Sequence, residues 1–573
     1  MTAAPPAPVN PPSTLGRLAR RISREGALLT LIVLAAGALR IYKLEEVPPG
    51  VYCDEVALGV NAKFLGTTGA SLKGKSLPLY VHEASFEQYG SKKIVYQPIY
   101  QYTVVPFVEL MGLSATSVRL PSVLFGLAGI LAAHLLARTL FGVSVGLWTA
   151  ALLAVSPWHH QFSRIGFEVT SLTPLLALGT WLLWRGLERP RLLTAGAAVL
   201  GLATYAYPAA RLFVPLLALG FAIVHWRELR INWRPAMNAA AVAALVGLPN
   251  LYLLLTDPNQ GRMNYLFIFN AETRNEAAVR ALESSVFENW WAVLILDHPV
   301  LRIPFVFLYN YFSHLSPAFL FHSGDANARH ALQGLGMEHV FSAPLLAAGL
   351  VALFRRRAEA ASRLVLWWFL TWPIPASLTI DCPHATRGFT NFPSIEITMA
   401  LGLQFLFRHA ADVVRFRGPV RLKSAVAGCA LWFAILRSPH DLVGFLLHYH
   451  KDYPVYSAEA WDAGVGPAFR LARRVALDGE PITVSYGIHN AWLNTLFFTN
   501  ADPRTLAPPA RTGEPPLPHG YHVSRLARSG ARRAGLWIIK AEEERELPEA
   551  RVVARIPYPD GDPNLLIVRV ERP

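Results

Sequence analysis

The chain has 573 residues, 53% of them hydrophobic and only 16% charged, where an ordinary soluble domain carries about a quarter charged residues. Apolar runs of membrane-spanning length recur along most of it, which excludes a soluble globular protein and indicates a polytopic membrane protein. The formal charge of +14 is not a nucleic-acid signature, because the Arg residues concentrate in short gaps between apolar runs, as the positive-inside rule requires.

In chain order, residues 1–25 read as a disordered cytoplasmic N-terminus, rich in Pro and Ala over its first dozen positions. The first apolar run follows Arg17, Arg20, Arg21 and Arg24 with no small-residue cleavage site after it, so a cleaved signal peptide is not expected. Apolar length and the placement of Arg and Lys predict about eleven spans, near 26–42, 118–140, 143–158, 168–184, 192–207, 212–225, 235–255, 340–353, 364–378, 392–407 and 425–447. Two outer loops result. Residues 43–117 form a long polar first loop, and 257–338 a long second one containing Trp290-Trp291 and an aromatic run at 305–321. Parity keeps that run outside, as an interfacial or re-entrant helix, because the next span must enter from outside to end at Arg355-Arg356-Arg357.

From 451 to 573 the composition shifts to more Pro, Arg and Asp with shorter apolar runs. Residues 481–486, 535–539 and 565–570 read as buried strands, and 467–476 as a helix with Pro467 in its first turn. The expected architecture is a mainly α polytopic domain over 26–450 followed by an extracytoplasmic α/β domain.

The densest chemistry follows the first span, in Pro48-Pro49-Gly50-Val51-Tyr52-Cys53-Asp54-Glu55. The Pro-Pro-Gly forces a turn, and Ala57, Val60, Phe64 and Leu65 then fall at helical spacing, predicting an amphipathic helix along the membrane surface that starts at Asp54. A carboxylate there is also what a helix N-terminus favours electrostatically, whatever its role. Helix neighbours do not share a face, so one of Asp54 and Glu55 should face a cleft and the other the loop.

The same outer side collects Arg119, Arg164, Glu168, Tyr205, Tyr207 and Arg211. The later loops add His322, Asp325, Arg329 and His330, then Asp381, His384 and Arg387. A single Arg at a span end is an ordinary interfacial anchor. Several on the side that positive-inside depletes, beside carboxylates, suit a phosphate-bearing, lipid-anchored substrate. Arg holds phosphate by paired hydrogen bonds, and a carboxylate can take a proton from a hydroxyl. Of the three cysteines, Cys53 and Cys382 fall in outer loops, where a disulfide or two thiols both remain open.

Over roughly 26–450 the chain resembles the GT-C membrane glycosyltransferases, specifically family 39 and its protein mannosyltransferase and aminoarabinose transferase group. The resemblance rests on Pro49-Gly50 followed by Asp54-Glu55, Arg119-Leu120-Pro121-Ser122, Ser156-Pro157 with Arg164 and Glu168, Tyr207-Pro208 with Arg211, and Gly324-Asp325. It implies a polyprenyl-phosphate sugar donor, an acceptor hydroxyl on a protein, lipid or envelope glycan, and an inverting displacement at the outer face of a bacterial inner membrane. It implies Asp54 as general base, Glu55 in support, and Arg211 and Arg387, then Arg119 and Arg164, at the donor phosphate. Glu168, Tyr205, Tyr207, His322, Asp325 and His384 would line the cleft. The family often has Asp where Glu168 stands, and neither a metal nor another cofactor is expected. Two alternatives remain. An oligosaccharyltransferase-like enzyme would find only the fragment Trp461-Asp462-Ala463-Gly464 of its tryptophan-rich motif. A polyprenyl-lipid flippase would place its charges near the midplane.

Overall fold

A computed structural model describes residues 14–82, 95–256, 267–269, 299–414, 422–506, 517–526 and 533–571. Its larger part is a helical bundle, and sequence punctuation sets the helix ends. Ser114 accepts a hydrogen bond from the Ser117 amide at 3.1 Å and so caps the Ala115–Phe141 helix. Gly142, at φ 96°, turns the chain straight into the Val143–Val155 helix. Ser156 and Pro157 then open a short Pro157–Phe162 helix.

Three described helices are long and apolar enough to cross a membrane: Ala115–Phe141, Trp233–Leu253 and Leu422–Tyr456. Four shorter ones are strongly apolar: Val143–Val155, Arg191–Ala203, Ala210–Val224 and Val340–Arg355. The expected eleven spans are therefore represented by a helical bundle in which fewer helices meet the length criterion. The helix from Leu422 runs on through Tyr456, so the domain boundary expected at 451 falls inside a helix.

The first outer loop departs from a polar loop. It holds two helices, Cys53–Thr68 and Pro98–Met111, and a small antiparallel hairpin, β1 (Val81–His82) with β2 (Val95–Tyr96). The Cys53–Thr68 helix is not an amphipathic surface helix. Its buried set runs without a break from Glu55 to Ala62. Asn61 is fully buried, with its amide bonded to Ala57 O at 2.9 Å. The Pro98–Met111 helix was obscured by Pro98, Pro106 and the polar Gln97 and Gln101, although Pro98 sits in a first turn, where proline costs no hydrogen bond. The aromatic run of the second loop forms a Pro299–Leu315 helix and a wide turn at Ala318–His322. Trp290-Trp291 lies outside the described residues.

The C-terminal part is a five-stranded sheet: β3 (Ile482–Ser485), β4 (Tyr521–Ser524), β5 (Gly535–Lys540), β6 (Arg551–Pro557) and β7 (Pro563–Val570), in the order β4-β3-β5-β7-β6. β3 pairs in parallel with β4 and β5, while β7 runs antiparallel to β5 and β6. Alternate residues of β5 separate cleanly. Leu536 and Ile538 pack with the Val465–Val475 helix, and Trp537 and Ile539 with Leu526 and Leu547 on the other face. The expected strands and helix are present, and β4 and β6 are additions. No disulfide joins Cys53 and Cys382.

This sheet-bearing part is not tethered loosely. Leu493, Leu496, Phe497 and Ala501 share one apolar core with Val56, Ala57 and Val60 of the Cys53–Thr68 helix and with Tyr100 and Val104 of the next helix.

Candidate active site

The Cys53–Thr68 helix begins where the turn after the first helix ends, and its two leading acids part company. Glu55 is wholly buried. Its Oε1 accepts from Arg119 Nε at 2.8 Å and from the Gly166 amide at 2.8 Å, and its Oε2 accepts from Arg119 Nη2 at 2.9 Å and from the Tyr52 amide at 3.3 Å. All the acceptor directions of this carboxylate are engaged, in the bidentate geometry a guanidinium favours. Asp54 is half-buried and lines a cavity of about 790 Å³. Its Oδ1 accepts from the Tyr96 hydroxyl at 3.3 Å.

The sequence-derived arginines divide in the same way. Arg119, also wholly buried, adds bonds to Leu44 O, Pro48 O and Gly50 O. Arg164 is buried against the end of the first helix and its turn, donating to Leu39 O and Arg40 O at 2.8 Å, Val47 O at 3.0 Å and Lys43 O at 3.2 Å. Neither faces the cavity. Arg211 and Arg387 do. Arg211 donates to Gln97 Oε1 at 3.0 Å and to the Tyr80 hydroxyl at 3.4 Å. Arg387 donates to Thr379 Oγ1 at 2.9 Å and to Ile380 O.

Glu168, Tyr207 and His384 also line the cavity, and Glu168 accepts from the Gln97 amide. Tyr205 stands one layer behind. Its ring stacks on Tyr80 at 6.3 Å and its hydroxyl donates to Val246 O at 2.6 Å. Asp325 is buried and acts as a loop organiser. It accepts from the Asn327 amide at 2.8 Å, from His330 Nδ1 at 3.0 Å and from the Ala385 amide at 2.7 Å. Burial alone would raise its pKa, but His330 and the two amides outweigh that and hold it below the ordinary carboxylate value. His322 is exposed and lies off the cavity.

Arg329, from the group gathered in the second loop, and three residues to which the sequence assigned no role, Tyr52, Tyr96 and Gln97, complete the wall. The Arg329 guanidinium lies 4.0 Å from the centre of the Tyr52 ring, a cation–π contact, and its buried Nε has no hydrogen-bond partner among the described residues. Burial, with Cys53 and Asp54 alongside, pushes the Tyr52 phenol above its ordinary range and keeps it neutral. Tyr96 and Gln97 come from β2 and the helix cap that follows. The signal that could have found them is Pro98, which marks a helix start and so places the two residues before it at the cavity.

Asp325, His330 and His384 offer ligand atoms within 4.8 Å of one another and could hold a cation. As placed, Asp325 Oδ2 accepts from His330 and the Ala385 amide.

A helical bundle with a cavity lined by both arginines and carboxylates, together with a C-terminal sheet domain, defines a GT-C-type membrane glycosyltransferase fold, as the sequence resemblance implies. Residues 97–253 match the family model for dolichyl-phosphate-mannose-protein mannosyltransferase. ArnT from Cupriavidus metallidurans, bound to undecaprenyl phosphate, is similar over 96% of this chain and 97% of that one, at 13% identity and a TM-score of 0.52. Its apo form is similar over 96% and 98%, at 14% identity and a TM-score of 0.52. The archaeal oligosaccharyltransferase AglB from Archaeoglobus fulgidus, in complex with an inhibitory peptide and a dolichol-phosphate, aligns over 84% of this chain and 65% of that one, at 13% identity and a TM-score of 0.48. Among curated proteins none matches.

Proposed function

We propose that this protein transfers a sugar from a polyprenyl-phosphate donor to an acceptor hydroxyl, at the outer face of a membrane it crosses about eleven times. The observation that carries the reading is that Asp54, Arg211 and Arg387 line one cavity, while the neighbouring acid and arginines are consumed in buried contacts. A donor phosphate seated between Arg211 and Arg387 presents the anomeric carbon toward Asp54. The acceptor oxygen attacks that carbon from the opposite side and its proton passes to Asp54. The bond from the anomeric carbon to the phosphate oxygen breaks, and the electron pair leaves with polyprenyl phosphate. Negative charge grows on that oxygen in the transition state, which is where fixed guanidinium groups are most effective. The undecaprenyl phosphate bound by ArnT supports a lipid of the same class here. Glu168 and Gln97 hold the β2–helix junction that carries Tyr96 to the base.

The test is to incubate the purified protein with labelled polyprenyl-phosphate sugars alongside Asp54→Asn. Transfer by the wild type that Asp54→Asn abolishes supports the reading. Equal transfer by both removes Asp54 as base, and lipid translocation without sugar transfer would establish a flippase instead.

A further inference from the structure

Trp461, from the tetrapeptide that sequence alone left as a fragment, occupies a junction behind the cavity. It is wholly buried in the turn that joins the long last bundle helix to the sheet domain. Its ring receives the Arg119 guanidinium at 5.7 Å, meets Tyr52 edge-on at 6.3 Å and leans on Phe167 at 6.4 Å. Its carbonyl lies against Gly50, where an added Cβ would come within 2.0 Å of it, so only glycine permits that approach. On its other side, Trp461 Nε1 donates to the Tyr453 hydroxyl at 2.8 Å. That hydroxyl donates to Ala328 O at 2.9 Å and accepts from Gln161 Nε2 at 2.7 Å, and Gln161 Nε2 also reaches Arg329 O at 2.8 Å.

One side chain thus touches the two residues that fix the start of the Asp54 helix, Tyr52 and Arg119, and is linked through the Tyr453 hydroxyl to Ala328 O and, through Gln161, to Arg329 O. We infer that Trp461 is a positioning residue that sets Asp54 and Arg329 relative to each other, making the start of the C-terminal part a component of the site. A buried aromatic with its N–H satisfied has one low-energy placement. Displacing it frees Tyr52 to turn and leaves Arg119 to hold Glu55 without the ring behind it. The catalytic consequence rests on the proposed role of Asp54, and the geometric one does not.

The buried thiol of Cys53, between Tyr52 and Asp54, provides a reporter that needs no substrate. In detergent-purified protein, maleimide labelling of Cys53 is read by the mass of its peptide for the wild type, Trp461→Phe and Trp461→Ala. The expected result is labelling at least tenfold faster in Trp461→Ala and about threefold faster in Trp461→Phe, with circular dichroism unchanged in the latter. With labelled polyprenyl-phosphate sugars, Trp461→Phe should lower kcat about tenfold and leave KM for the donor within twofold. Wild-type labelling rates in a folded Trp461→Phe, or a change confined to KM, would overturn the inference. If Trp461→Ala fails to fold, Trp461→Phe decides alone. If the wild type turns over no such donor, the proposed function falls while the labelling result still judges the positioning.

Discussion

Two shells of the same chemistry lie within a few residues of each other. Along the cavity, Asp54, Arg211 and Arg387 make a few contacts each and face open space. Behind it, Glu55, Arg119 and Arg164 are wholly buried and bonded in nearly every direction. Residue type does not separate them, since both groups combine carboxylates with guanidiniums, Asp54 and Glu168 beside Arg211 and Arg387 on the wall and Glu55 beside Arg119 and Arg164 behind it. What separates them is placement: one group is enclosed by the fold, and the other borders a cavity. A buried guanidinium surrounded by helix-end carbonyls is a structural tie, whereas one left on a cavity wall can still take a ligand.

The contrast can be broken at either shell. Asp54→Asn should cut sugar transfer by ~10²–10⁴-fold, the range for a general base, with the thermal midpoint in detergent unchanged. A parallel fall in midpoint would move Asp54 into the buried shell. Glu55→Gln should do the reverse and destabilise the fold by ~3–5 kcal/mol, because it strands the Arg119 charge. Glu55→Leu combined with Arg119→Leu should recover much of that loss, and a stable but inactive Glu55→Gln would make Glu55 catalytic. Arg387→Met should lower kcat roughly 10²-fold without loosening the fold, read by steady-state kinetics beside a melt. Arg164→Met should cost ~1–3 kcal/mol through unsatisfied carbonyls at the end of the first helix, read in the same melt.

The smallest effect belongs to the sheet domain. Burial alone would raise the Glu480 pKa, but Arg569 at 2.7 and 3.0 Å and the Leu477 amide hold it below the ordinary carboxylate value. A depressed carboxylate contributes stability above its unfolded pKa and loses it as pH falls through the folded one. Melts of the full chain should therefore show Glu480→Gln costing no more than ~1 kcal/mol at pH 7 and nothing measurable near pH 3.

Sequence reading located the acid pair, the helix beginning beside it and the Val465–Val475 helix, because proline turns and apolar spacing are local signals. It found β3, β5 and β7, which are continuous apolar runs, and not β4 or β6, which carry the half-buried His522 and the exposed Arg551 and Arg555. It could not sort the arginines. Whether Arg164 meets a ligand or the carbonyls of Leu39 and Val47 depends on a contact more than a hundred positions away. Among the described residues three helices are long and apolar enough to cross a membrane, although eleven apolar runs were read, because a run of hydrophobic residues does not reveal where Pro or Gly will interrupt its helix.

The apolar core that joins Val56 and Val60 to Leu493 and Phe497 has a consequence for how the protein is made. The Leu113 amide, just after the Pro98–Met111 helix, donates to Asn500 Oδ1 across 387 positions, so the helix that carries Asp54 and its neighbour are packed only once this much later segment has been made. Until that segment has been synthesised, Val56 and Val60 lack these partners. A chain interrupted before residue 490 would hold every residue of its catalytic wall and still lack the packing that sets it.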